Sequence, residues 1–349
     1  MSIAEEYTKL TKNKIVAIFI LIFIMFFIVA ISATLGSYRI DLHEVYVIVL
    51  KGLTKPLCNV EMSEKYNVIW NLRLPRIIMG VIAGFALACS GAVIQAILRN
   101  PLASPFTIGI NSAAGFGATL AICMGLGVAS NYMITGNAFL FSLIQALLML
   151  GIARYKGVAP ETLILAGIAL SYIYSALTTL ILFFSEPDAV KEAYFWMVGS
   201  LSKATWKNVP ISFAITVATF PILLWKAWDL NLIMSAGDEV AKSLGVDVEK
   251  TCIVVMITSA LLTSGVICFT GNIPFVCLIT PHICRILVGN DNRFLIPASG
   301  LLGSTIVLIA DIISRRLIAP VILPIGAVLS FVGGPFFLYL LLKKKRKYW

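Results

Sequence analysis

What this chain has least of is charge. Lys, Arg, Asp and Glu make up 13% of its 349 residues, where a soluble domain carries roughly 25%. The apolar residues form 59% of the chain, at a mean hydropathy of +0.95. They gather in runs of about 20, the length that spans a hydrocarbon core. The period-2 alternation of a membrane barrel is missing too. The composition therefore gives an all-α polytopic membrane protein and excludes a soluble fold.

Other absences narrow the chemistry. Histidine occurs only at His43 and His282, and the seven cysteines form no C-x-x-C pair. No metal site, cofactor or catalytic residue is expected from such a set. His282, after Pro281, reads as a packing residue. No G-x-x-x-x-G-K-[ST] occurs, so the chain cannot cradle ATP itself. Of the 17 acids only Asp311 lies inside an apolar run, near its outer end and four residues before Arg315. An ion-coupled secondary transporter usually keeps an ionisable group at mid-depth. That rival and a non-transporting scaffold are the alternatives to a transport pore driven by a separate subunit. The basic residues behind the net charge of +10 are spread over both faces, so nucleic acid is not an expected partner.

What is present is a single transmembrane domain, 1–349, with ten apolar windows. They lie near 15–35, 72–98, 106–127, 131–152, 162–184, 208–228, 250–270, 273–289, 295–318 and 322–342. The first is too long for a signal h-region and reads as a retained span. The eighth is short, carries Pro274 and Pro281, and reads as a broken helix packed inside protein. Ten spans place both termini on one side. Lys9, Lys12 and Lys14 at one end, and Lys343 to Lys347 at the other, make that side cytoplasmic. Spans two to five and seven to ten have the parity of an inverted repeat. The one sequence echo is Ser90-Gly91 against Ser264-Gly265.

This topology puts 16 Lys and Arg inside and 11 outside. Arg39, Lys51, Lys55 and Lys65 are interleaved with acids in a first loop read as solvated. Arg73 and Arg76 at the lip of span two, and Arg315 and Arg316 at the end of span nine, read as a docking surface for an acidic partner. Interfacial snorkelling, with Asp311 paired to Arg315, is the alternative. The cytoplasmic loop 230–250 has acids at Asp238 and Glu239 to open a helix, a stop at Leu244-Gly245, and a second short helix expected from Val246-Asp247. It reads as a docking element for a cytoplasmic partner, or as a helix lying in the lipid interface. Gly80-x-x-x-Gly84 offers a close-packing face, and Asn100-Pro101 fixes a turn at the cytoplasmic mouth.

A series of motifs runs in order through most of the chain. They are Arg73-Leu-Pro-Arg76, Ser90-Gly91-Ala92-Val93-x-Gln95, Arg99-Asn100-Pro101-Leu102-Ala103-x-Pro105, Leu165-Ala166-Gly167, Trp196-x-x-Gly199-Ser200-Leu201, Gly237-Asp238-Glu239-x-Ala241-x-x-Leu244-Gly245, Pro281-His282-x-x-Arg285, Ala310-Asp311-x-x-x-Arg315, Leu323-Pro324-x-Gly326 and Gly334-Pro335-x-Phe337. The series resembles the permease subunit of the type II ABC importers for iron-siderophores, haem and cobalamin. The resemblance implies a ten-helix homodimer in a prokaryotic cytoplasmic membrane. It is not itself an enzyme. The resemblance implies an ABC ATPase dimer bound below and an extracytoplasmic binding protein docked above. It implies docking through Arg73, Arg76 and Arg315. It implies ATPase coupling through Gly237, Asp238, Glu239, Ala241, Leu244 and Gly245. It implies a cytoplasmic gate at Asn100, Pro101 and Leu102, and a pathway near Ala166, Ser171, Tyr172 and Ser175. Iron-siderophore is the first expected cargo, with haem or cobalamin as alternatives. Cys277, Ile322 and Ala159-Pro160-Glu161 depart from the family pattern.

Overall fold

Twenty of the 24 residues from Leu74 to Ile97 are buried, so this segment forms the interior of the protein. The computed structural model describes residues 3–36, 40–54, 64–125 and 131–342. Arg39, Lys55, Cys58, Glu61 and the basic tail from Lys343 lie outside these residues. The described chain is helical: α1 (Ile3–Thr34), α2 (Leu42–Thr54), α3 (Glu64–Ile97), α4 (Ile110–Cys123), α5 (Asn131–Lys156), α6 (Pro160–Phe183), α7 (Pro187–Val198), α8 (Val209–Trp225), α9 (Ala227–Ala236), α10 (Asp238–Ser243), α11 (Val248–Thr270), α12 (Val276–Val288), α13 (Asn292–Arg316) and α14 (Ile325–Leu342). Among the described residues there is no strand, only an isolated bridge between Ile318 and Val321. Among the described residues six helices are long and apolar enough to cross a membrane, and a seventh span results if α8 and α9, bent by 48°, count as one. Three further apolar helices, among them α4 and α12, are shorter.

Small residues let α3 sit at the centre. Gly84 and Gly303 stand backbone to backbone where α3 crosses α13, and a Cβ on either would overlap the other's carbonyl. Gly91 leaves room only for the Cys277 carbonyl of α12. Ser90 donates to the Ser259 carbonyl of α11 at 3.0 Å and accepts from Thr263 at 2.9 Å. Ser304 of α13 donates to the Val81 carbonyl at 2.7 Å. With no hydrophobic force between helices in lipid, such close packing and hydrogen bonding hold the bundle together. Gly84→Val is therefore expected to destabilise the fold by about 3 kcal/mol, the upper end for overpacking, because only backbone stands in its way. Gly115→Ala, whose Cβ would meet nothing within 4 Å, is the control. Unfolding titrations in detergent of both variants check this. Equal stability would show that the crossing is loose.

Two sequence expectations need correction, and one helix was not expected. The first loop is not simply solvated: it contains α2, whose Val45, Ile48 and Val49 pack with Ile69 and Ile77 of α3. The segment after α6 contains α7, which buries Ala193 and Trp196. Val246-Asp247 opens no second short helix. Asp247 instead caps the long α11, accepting from the Lys250 N–H at 3.0 Å, and the two short helices of this region are α9 and α10.

Candidate functional site

Three groups of the singled-out residues have defined geometry, one at each end of the bundle and one along its side. At the lip, Arg73, Arg76 and Arg315 are only 6–8% exposed. The reason lies in α1, which has no basic residue in its last turn and so has orphan carbonyls to satisfy. Arg73 donates to the Ala33 and Thr34 carbonyls at 2.6 and 3.1 Å. Arg315 donates to Leu35 O at 2.5 Å and to Ser32 Oγ at 2.8 Å. Arg76 donates to Asp311 at 2.7 Å and to Ser202 at 2.9 Å. The second Asp311 oxygen lies 2.9 Å from Arg315 Nε, an ion pair rather than an aligned hydrogen bond. In the single chain these guanidiniums thus form an internal clamp with an excess of positive charge, not an open basic surface. Arg316, Lys203 and Lys207 are exposed.

At the other end, Arg99 has a left-handed backbone, φ 43°, and pairs with Asp238 at the start of α10. Asn100 Oδ1 accepts from the Leu102 N–H at 2.9 Å, a side-chain turn that Pro101 reinforces. Gln95 donates to the Pro101 carbonyl at 2.9 Å and accepts from Arg285 of α12 at 2.5 Å. A polar chain therefore runs from α10 through the turn to α3 and α12. Gly237, φ 84°, and Gly245, φ 89°, bracket α10. Ala241 is buried, Leu244 and neighbouring Val240 are exposed, and Glu239 is exposed. Close by, Asn231 of α9 donates to Asp291 at 2.8 Å, and Arg293 donates to the same carboxylate at 2.6 Å. Burial pushes the Asp291 carboxyl up, but hydrogen bonds from Arg293 and Asn231 outweigh it and leave the group below its ordinary value.

Along the side, α6 has few buried residues: Leu163, Gly167, Tyr174 and Thr178. Ser171, Tyr172 and Ser175 come together with Phe106 and Thr107 around a 160 Å³ cavity. Ala166 is half-buried against the core, one turn away. A second cavity, of 220 Å³, has Asn111, Ser175, Thr178, Thr179 and Asn272 in its wall. The sequence motifs did not single out Asn111, Thr179 or Asn272.

The pattern of the FecCD transport family matches residues 21–343. The chain belongs to the FecCD transport family. Protein MJ0087 of Methanocaldococcus jannaschii, whose name specifies no substrate, is 43% identical, covering 99% of this chain and 100% of the relative. The Fe(3+)-citrate import system permease YfmE of Bacillus subtilis is 35% identical over 98% of this chain and 99% of its own. Relatives at 32% and 36% identity, from Yersinia pestis and Halobacterium salinarum, are named for hemin and for cobalamin. A solved structure, described as an inward-facing metal-chelate type ABC transporter, is 31% identical. It covers 94% of this chain and 99% of its own, with a TM-score of 0.81. The FecCD assignment makes this chain an ABC importer permease with the type II permease fold, a multi-pass membrane protein.

Proposed function

We propose that the chain is the pore subunit of an importer for an iron-siderophore, driven by ATP hydrolysis on a separate subunit. The whole-length match to the FecCD family carries this reading. Ferric-citrate permease is one relative over nearly the full length, which supports iron as the cargo metal. Haem and cobalamin remain the alternatives, as the names of other relatives allow.

The proposed unit is a homodimer of ten-span chains with both termini cytoplasmic. Two copies meet across the sparsely buried α6, whose Tyr172 and Ser175 side borders the pathway. An ABC ATPase dimer seats on α10 and its flanking residues, Gly237 to Gly245, and the exposed Val240 and Leu244 give it an apolar grip. The turn at Asn100, Pro101 and Leu102 serves as the inner gate. An acidic extracytoplasmic binding protein docks at the lip. There Arg316, Lys203 and Lys207 present charge at the surface, while Arg73, Arg76 and Arg315 raise the potential from beneath.

Native mass spectrometry of the co-expressed components tests the assembly: two copies of this chain with two ATPases support it, and a lone chain that retains no ATPase contradicts it. Docking has a separate test. Arg316→Glu with Lys207→Glu is expected to weaken binding-protein affinity by about tenfold, mostly through the on-rate and more at low salt. Surface plasmon resonance at two ionic strengths measures it, and unchanged affinity would move the docking site elsewhere.

A further inference from the structure

Helix α13 is tied to α1 at both ends, and at one of them to α9 as well. At the end away from the lip, Asp291 caps α13, accepting from the Arg293 N–H at 3.1 Å. The same carboxylate accepts from Asn231 of α9 at 2.8 Å, and Lys14 of α1 lies 4.0 Å from it. Asn231 is bound twice more: its Oδ1 accepts from the Asn292 N–H at 2.8 Å and from the fully buried Asn292 side chain at 2.9 Å. Arg293 completes the node. Its guanidinium donates to Asp291 at 2.6 Å and to the Tyr7 hydroxyl of α1 at 3.3 Å, and it stands 3.9 Å from the centre of the Trp228 ring of α9.

A helix cap needs only the bond from the Arg293 N–H. The rest of the node joins other helices. Three hydrogen bonds through one amide, with a guanidinium stacked on an indole, fix α9 to α13 in both distance and orientation.

At the lip the pattern repeats. Arg315 of α13 donates to Leu35 O and Ser32 Oγ at the end of α1, and Asp311 holds Arg315 and Arg76. Between the two ends, Ala17, Ile18 and Leu21 of α1 share an apolar cluster with Leu295, Ala298 and Leu302 of α13. From Asp291 to Asp311 the chain advances about 30 Å along the helix axis. Two helices bonded at both ends resist the bending that one long helix allows.

We propose that α1 and α13 form a strut that relays the state of the docking lip to the ATPase seat, with Asn231, Asp291 and Arg293 as its latch on α9, which leads directly into Gly237 and α10. This rests on the importer reading. Rigid elements and hydrogen-bonded networks are the physical carriers of coupling between distant sites. The relay is separate from the Arg99–Asp238 pair, which leads to the turn at Asn100 instead of the lip.

The test uses permease and ATPase in proteoliposomes. ATP hydrolysis is measured with and without saturating binding protein, loaded with whichever of ferric siderophore, haem and cobalamin the wild-type complex imports. Asn231→Asp sets two carboxylates against each other and opens the latch. Stimulation of hydrolysis by the binding protein is expected to fall at least about fivefold, the lower end of usual coupling factors, with basal hydrolysis and nucleotide-free binding-protein affinity unchanged. Adding Asp291→Asn should restore stimulation, because the new amide at 291 donates to the new carboxylate at 231 and still caps α13. If the single variant does not assemble, Trp228→Ala decides the matter by the same loss, since Trp228 is 57% exposed and its truncation leaves the core intact. Undiminished stimulation in the assembled variants, no recovery in the exchanged pair, or an equal loss of basal hydrolysis would overturn the relay alone. No ATP-driven uptake of any of the three cargoes by the wild-type complex would overturn the importer reading and the relay with it.

Discussion

Asp311→Asn is expected to be the most damaging single substitution in the bundle, costing about 3–5 kcal/mol, the range for removing one partner from a buried ion pair. Asp311 is fully buried and holds both Arg76 and Arg315. Asparagine keeps the shape and removes the charge, leaving buried guanidiniums without a carboxylate. The clamp on the α1 terminus would loosen with them, because Arg315 also holds Ser32 and Leu35. Unfolding titrations in detergent measure the loss. Replacing the group by apolar residues, Asp311→Leu with Arg76→Leu and Arg315→Leu, should recover much of it, since buried charge clusters are often no better than apolar packing. Wild-type stability in Asp311→Asn would mean that the arginines find equivalent acceptors elsewhere.

The second large effect is on coupling rather than stability. Arg99 and Asp238 are about one-third exposed, and such pairs contribute roughly 0.2–1 kcal/mol. Asp238→Arg should therefore fold normally. The pair is nevertheless the direct bond between α10 and the turn at Asn100, with Gln95 and Arg285 continuing the chain into the bundle. Like charges at this joint should separate α10 from the turn, and cargo imported per ATP hydrolysed should fall about tenfold, a coupling loss near 1.4 kcal/mol. The reversed pair, Arg99→Asp with Asp238→Arg, should restore most of it. Uptake and phosphate release measured in the same vesicles check both. Equal coupling in the single and reversed variants would assign transmission to packing alone.

The sequence was informative where physics is local. Hydropathy located the long apolar helices, Asn100-Pro101 marked the break before α4, and Gly84 marked a point of close approach. Asp311 and Arg315 were visible as neighbours one helical turn apart. Pairings between distant segments were not: Arg76 meets Asp311 across 235 positions and Arg99 meets Asp238 across 139. No period or propensity encodes which distant helix will stand alongside. For the same reason Arg73 looked like surface charge, although the unsatisfied end of α1 recruits it inward. Helices α2 and α7 escaped notice because both are short and mix charged with apolar residues, so neither resembles a span or a simple loop. Asn111 and Asn272 are ordinary amides until the fold sets them around one cavity.

The central claim is that this chain forms a pore worked by a separate ATPase, and uptake in proteoliposomes tests it most directly. The permease, reconstituted with its ATPase and with binding protein supplied at the extracytoplasmic face, is given radiolabelled ferric siderophore with ATP on the cytoplasmic side. The account predicts accumulation that requires all three components and stops when ATP is withheld. Accumulation without ATP, driven instead by an imposed ion gradient, would contradict it.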